Sequence, residues 1–159
     1  MTILNLQDAL AEDIGRILKG IGTKNVFGEC VDGVNVYKQD LPIVQLDEED
    51  ETKFFPYAIV RLYDGRTEDD DSPWTVTADI HLGVYDADLD NQGHQHVATM
   101  IQRIANRFAA EPLLDKKYRA QQDMEWALQD ENTHPYFFGG IRIKFSVPKI
   151  GRSEPIYGR

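Results

Sequence analysis

The strongest constraint on the fold is an alternation sustained over one run and prefaced by another. Val76, Ala78, Ile80, Leu82 and Val84 alternate with Thr75, Thr77, Asp79, His81 and Gly83. In extended chain successive side chains point to opposite faces, so this run reads as a strand with one buried face. The apolar run at 57–63 is its natural partner. Residues 64–73 between them are too many for a two-residue turn, which predicts a hairpin with a long acidic tip.

Two helical periods flank this hairpin. Leu6, Leu10, Ile14, Ile17, Leu18 and Ile21 recur at three- and four-residue steps, making one apolar stripe that Gly20 and Gly22 end. After Asp90, the residues Val97, Ile101, Ile104 and Phe108 mark a second amphipathic helix, widened by Met100 and Ala105. Its expected cap is near Asn91 and its expected end lies before Pro112. Two more alternations follow, Met124, Trp126 and Leu128, then Ile141, Ile143, Phe145 and Val147. Residues 26–44 carry a weaker signal, a short strand around Val34 and Val36 with a break at Pro42. The expected fold class is α+β, an antiparallel sheet of about four main strands with two amphipathic helices packed on one face. We expect a single α+β domain over 1–150 and a flexible C-terminal tail at 151–159.

Composition narrows the partners. At 159 residues and 42% hydrophobic, the chain suits one globular core. The single cysteine, Cys30, excludes an internal disulfide framework and, without a Cys/His cluster, argues against a structural metal. The first residues carry carboxylates where an export signal needs basic groups, and no apolar run approaches the ~20 residues of a membrane span. A net charge of −10 opposes attraction to phosphate and anionic lipid, so neither specific nucleic-acid binding nor membrane binding is expected. Much of the excess sits in two runs, DEEDE at 47–51 and the quartet Glu68, Asp69, Asp70 and Asp71. Both read as exposed, mobile loops whose charges repel.

No motif assembles a reaction. Asp86, Asp88 and Asp90 imitate the start of a calcium loop, but the positions that require glycine and a bidentate glutamate hold Asn91 and Val97. Carboxylates before a helix N-terminus account for them. His94 and His96 are two residues apart and point to different sides of a helix. Cys30, in FGECVDG, has no nearby base, and neither a nucleophile elbow nor a phosphate-cradling glycine loop is present. No cofactor is expected. The outer face of the sheet would carry Arg61, Asp79, His81, Glu125, Arg142 and Lys144, a mixed-sign set suited to cross-strand pairing or a polar subunit contact. Within it Asp79, His81 and Glu125 are the only candidates for a small enzyme's site. Tyr136, Phe137 and Phe138 in PYFFGG cannot all face inward in extended chain, which leaves packing under a loop or a protein contact.

Taken in order, FPYAIVRLYDG, an acidic loop, TVTADIHLGVYD, a helix with IQRIANRF, and MEWALQDENTHPYFFGGIRIKFSVP resemble the tail-terminator and neck proteins of long-tailed bacteriophages and prophages. The resemblance covers 54–148. Its signposts are Phe55, Pro56, Tyr57, Arg61, Asp64 and Gly65, then Gly83, Tyr85 and Asp86, then Trp126, and finally Pro135, Tyr136, Phe137, Phe138 and Gly139. Residues 26–53 match no motif of the family. The resemblance implies a structural protein without cofactor or turnover. It implies a ring, commonly a hexamer, that sits on the finished tail tube, stops its polymerisation and offers a surface for head attachment. Expected partners are other copies of this chain, the tail-tube protein and a head–tail connector protein. The expected location is the virion tail or neck, and the host cytoplasm during assembly. Around a DNA channel, Glu68, Asp69, Asp70 and Asp71 would repel phosphate and let the genome pass. Exposure arguments make Arg61, Arg142 and Lys144, with the Tyr136, Phe137 and Phe138 edge, the expected subunit or tube contact. Two alternatives stay open: another head–tail joining or minor tail protein, and the small enzyme with Asp79, His81 and Glu125.

Overall fold

The computed structural model describes residues 3–45 and 51–149. The elements run α1 (Ile3–Ile17), β1 (Gly22–Lys24), β2 (Cys30–Asp32), β3 (Asn35–Lys38), a short 3-10 helix (Glu51–Phe54), β4 (Tyr57–Arg66), β5 (Trp74–Tyr85), α2 (His94–Ala110), β6 (Leu113–Leu114), β7 (Tyr118–Leu128) and β8 (Tyr136–Val147). The fold is α+β, with a mixed six-stranded sheet in the order β3-β4-β5-β8-β7-β6 and a separate antiparallel pair, β1-β2. Among the described residues, only β3 and β4 run parallel.

The four main strands expected are antiparallel neighbours, β4, β5, β8 and β7, but the sheet is mixed and extends beyond them at both margins, and each departure has a local cause. Asn35–Lys38 is too short to show an alternation, yet it pairs in register with 57–60 of β4. The third expected strand begins at Tyr118 rather than Met124, because a bulge between Ala120 and Met124 interrupts its period of two. The last strand begins at Tyr136, ahead of the alternation that starts at Ile141. Most of PYFFGG is the first half of β8, paired with β5 from Tyr85↔Tyr136 onward.

The alternation sorts side chains as expected along β5 and β8. Val76, Ala78, Ile80, Leu82 and Val84 join Phe137, Ile141, Ile143, Phe145 and Val147 in one core with both helices. From α1 come Leu6, Leu10 and Ile14, and from α2 Val97, Met100, Ile101, Ile104 and Phe108. Phe108 meets Phe145 edge-on at 5.4 Å between ring centroids, a favoured aromatic geometry. The start of α2 differs from the expectation. Gly93, not Asn91, holds the N-cap position, with no side-chain cap bond. An added Cβ on Gly93 would overlap the Phe137 ring, so packing rather than capping selects the residue there.

The helices are also joined by charge. Asp13 is buried on α1; its Oδ1 accepts from Arg16 Nη2 at 3.0 Å, and its Oδ2 lies 3.0 Å from Arg107 Nε on α2. The second contact is electrostatic, since Oδ2 accepts no well-aligned hydrogen bond. Beyond β3 the outer edge of β4 is finished by a side chain. Gln39, at φ 71°, accepts from Leu62 N and donates to Leu62 O, both at 3.0 Å, while its own N–H donates to Val60 O. The buried Gln7 holds that amide in place and donates to Val60 O as well.

Among the described residues, no helix is long and apolar enough to cross a membrane. Asp47, Glu48, Glu49 and Asp50 of the first acidic run, and the tail 151–159, lie outside the described residues.

Candidate functional site

Period two leaves the side of the sheet opposite the helices with two different halves. At the end where β5 finishes, the side chains are aromatic. Phe55, Tyr57 and Ile59 form a second buried cluster, with Tyr37, Leu41, Phe54, Tyr85, Tyr136 and Phe138 packed around it. Phe55 is the centre, with ring centroids 4.8 Å from Tyr57, 4.9 Å from Tyr136 and 5.7 Å from Phe138. Gly83 provides the floor: a Cβ there would stand 2.6 Å from Tyr57 Cζ. The three consecutive aromatics thereby divide, Phe137 into the main core and Tyr136 and Phe138 beneath Phe55. They lie at the start of β8, paired with 83–85 of β5 and beyond the last β7 pairing at Gly139.

The other half is polar and organised by register. Arg61 stands opposite Asp79, Asp79 opposite Arg142, and Arg142 opposite Glu125, a row of alternating charge across four strands. Asp79 and Arg142 form its centre through a two-pronged pair, Nε–Oδ1 at 2.7 Å and Nη2–Oδ2 at 3.0 Å. That pair raises the pKa of Arg142 further above its ordinary value. The same guanidinium lies over the Tyr63 ring, 4.5 Å from its centroid. Arg61 also lies 4.0 Å from Asp40, and Lys144 is 3.5 Å from Asp123. Next along the face, Gln121 donates to Thr75 and Ser146. Cross-strand pairing therefore accounts for the expected mixed-sign set.

Asp79, His81 and Glu125 do share this face, around a shallow depression of about 240 Å³. The register sets Arg142 between the two carboxylates, and Asp79 is already committed to it. Burial lowers the pKa of His81, helped by Arg61 and opposed by Asp79. The imidazole thus holds its proton less readily, and the carboxylate beside it is already bound at both oxygens by Arg142, a poor arrangement for acid–base exchange between the two. Among the described residues, no group of three or more His, Cys, Asp or Glu side chains could hold a metal ion.

The acidic tip is shorter than expected and hydrogen-bonded within itself. β4 runs to Arg66 and β5 starts at Trp74, leaving 67–73 as the loop. Asp69 Oδ1 accepts from the N–H groups of Asp71 and Ser72, at 2.9 and 2.8 Å. Hydrogen bonds from Ser72 and Asp71 hold the Asp69 carboxyl below its usual pKa. Lys149, just after β8, donates to Thr67 Oγ1 at 2.9 Å and to the Asp69 carbonyl, closing the loop from beneath. Glu68, Asp69, Asp70 and Asp71 all remain exposed.

Sequence reasoning missed the Asp86–His96 pair, 3.2 Å apart, which ties the end of β5 to the first turn of α2. Asp86 and Asp90 also accept backbone N–H bonds two residues on, so these acids shape the turn before the helix. It missed the long outer edge of β7 as well. β6 pairs with β7 only at Tyr118 and Arg119, so 120–128 has no described strand on its far side. Trp126 stands there 65% exposed. In the sequence Trp126 reads as one beat of an apolar alternation with Met124 and Leu128, which does not mark it as exposed. No protein-family model matches the chain, and no curated protein matches it.

Proposed function

We propose that this chain is a structural tail-terminator or neck protein of a long-tailed bacteriophage or prophage. In this reading it is not an enzyme. It forms a ring, a hexamer by the family's common pattern, on the end of the tail tube, halts tube growth and offers its free side to the head–tail connector. It works in the virion after assembly in the host cytoplasm. The observation that supports this reading is the meeting of its signposts. Phe55, Tyr57, Gly83, Tyr85, Tyr136 and Phe138 come from three separate stretches of chain and pack as one cluster. A resemblance carried by residues that depend on one another sterically points to a shared architecture.

The two surfaces needed by a terminator have candidates. The polar face bearing Arg61, Arg142 and Lys144, continued by the Tyr136 to Phe138 edge with Phe137 turned into the core, serves contacts between protein surfaces. The tip bearing Glu68, Asp69, Asp70 and Asp71 turns toward the channel and repels DNA phosphate.

Negative-stain microscopy of the purified chain, with and without the tail-tube subunit, tests the function. Rings, or tubes of limited length capped at one end, are the expected result. A chain that leaves tube growth unchanged refutes termination and favours another joining role. For the tip, neutralising all four acids should slow DNA ejection without preventing assembly; unchanged ejection removes the channel-lining role.

A further inference from the structure

We propose that the outer edge of β7 in one copy of this chain docks on the bare outer part of β4 in the next, head to tail. The occupant of this surface is thus a second copy of the same chain. This rests on the ring reading for the identity of that occupant, but its argument comes from three complementarities between the two margins of one sheet.

Strand direction is the first. From β4 through β5 and β8 to β7 every pairing is antiparallel, so β7 runs opposite to β4. A second copy set beside the first continues the alternation when its β4 meets the outer edge of β7. Both margins have unpaired backbone to offer. β3 covers β4 only at 57–60, and Gln39 occupies Leu62, leaving 63–66 without a described outer neighbour. On β7 the same is true of 121–128, Ala120 donating its N–H to Pro112 O. An unpaired strand edge is a template for pairing with another chain.

Charge is the second. The row Arg61, Asp79, Arg142, Glu125 begins with a cation and ends with an anion. Laid along 63–66, the part of β4 that β3 and Gln39 leave bare, Glu125 of one copy faces Arg66 of the next, so the anion that ends the row meets a cation. Glu68, 3.9 Å from Arg66, is the group with which Glu125 would share it.

Shape is the third. Trp126 pairs across from Ile141 and therefore lies on the helix-bearing side of the sheet at its β7 margin. On the same side, near the bare part of β4, a groove of about 770 Å³ is lined by Ile3, Leu62, Trp74, Val76 and Val147. Ile3 and Trp74 are themselves exposed apolar side chains. One margin thus carries an aromatic knob and the other an apolar hollow. An association between different surfaces of identical subunits is heterologous, and it closes into a ring when the rotation per copy allows.

The test uses the full chain in a Cys30→Ser background. Asp64→Cys on β4 and Glu125→Cys on β7 are combined in one variant and also made singly, then treated with a short flexible bis-maleimide. The double variant should give a ladder of covalent oligomers, and each single variant should give none. Trp126→Ser should raise the concentration at half-assembly by about tenfold or more, the scale of a buried tryptophan anchor. Circular dichroism confirms that each variant is folded. Rings in the microscope with no ladder, and assembly indifferent to Trp126→Ser, would overturn this interface and leave the ring reading standing. Neither rings nor ladder would overturn both. If the single variant Glu125→Cys instead cross-links to a cysteine-bearing tail-tube subunit and the double variant gives no ladder, the β7 edge belongs to the tube and the proposal is refuted.

Discussion

Asp13 offers the sharpest check on the energetics, because its carboxylate is 7% exposed and faces two arginines of different mobility. Replacing it with leucine removes both partners at once. Breaking a buried ion pair from one side costs about 3–5 kcal/mol where the remaining charge is trapped. Here the trap is incomplete. Arg16 is 63% exposed and turns to water or to Glu12, 3.0 Å away. Arg107 is 25% exposed and keeps its bonds to the carbonyls of Leu113 and Glu111. We therefore expect Asp13→Leu to cost about 2–3 kcal/mol, below the trapped-charge range. In a domain of this length that lowers Tm by roughly 4–12 °C. The double variant Asp13→Leu, Arg107→Met removes the stranded charge with its partner and should recover most of the loss. Urea unfolding followed by circular dichroism measures both. If the double variant is as unstable as the single one, the cost lies in packing at position 13 and the charge argument is wrong.

Two further outcomes follow from the outer face. Gly83→Ala places a methyl 2.6 Å from Tyr57 Cζ and 2.9 Å from Phe55 Cε2, so it should cost about 1–3 kcal/mol by overpacking. The loss should shrink when Tyr57 is also replaced by leucine; calorimetry of the two variants decides. His81 should titrate below its ordinary value in the folded protein, with burial the main cause and Arg61 the next. Since the unfolded state takes up the proton first, this group's contribution to stability is present above about pH 6.5 and is lost as pH falls through the folded pKa. Nuclear magnetic resonance of the imidazole should show the midpoint rise in Arg61→Gln and fall in Asp79→Asn. Opposite movements would refute the placement of His81 in that row.

What could be read from the sequence was decided by how long each pattern runs. β5 and the two helices repeat their periods often enough to stand out. β3, at Asn35–Lys38, is too short to repeat, and its parallel pairing joins it to a distant partner that no local signal names. The bulge in β7 hid Tyr118, which is fully buried, from an alternation that restarts at Met124. The charged residues of the outer face were identified because they occupy the off-beats of legible strands. Their order as a row was not, since register between strands depends on loops and bulges that a single strand does not record. PYFFGG left packing under a neighbour and a protein contact both open for a related reason: the segment that lies over two of its aromatics, at Phe55, is distant in sequence.

Gln39 carries a consequence for how this protein could change through evolution. A primary amide has the same donor and acceptor as a peptide unit, so one side chain stands in for a residue of strand that β3 does not have. Exchanging it for any side chain without both functions would shift the point at which β4 becomes reachable by a stranger. The boundary between what the molecule keeps for itself and what it presents to others is therefore set by a single codon, and it can be moved without touching the core.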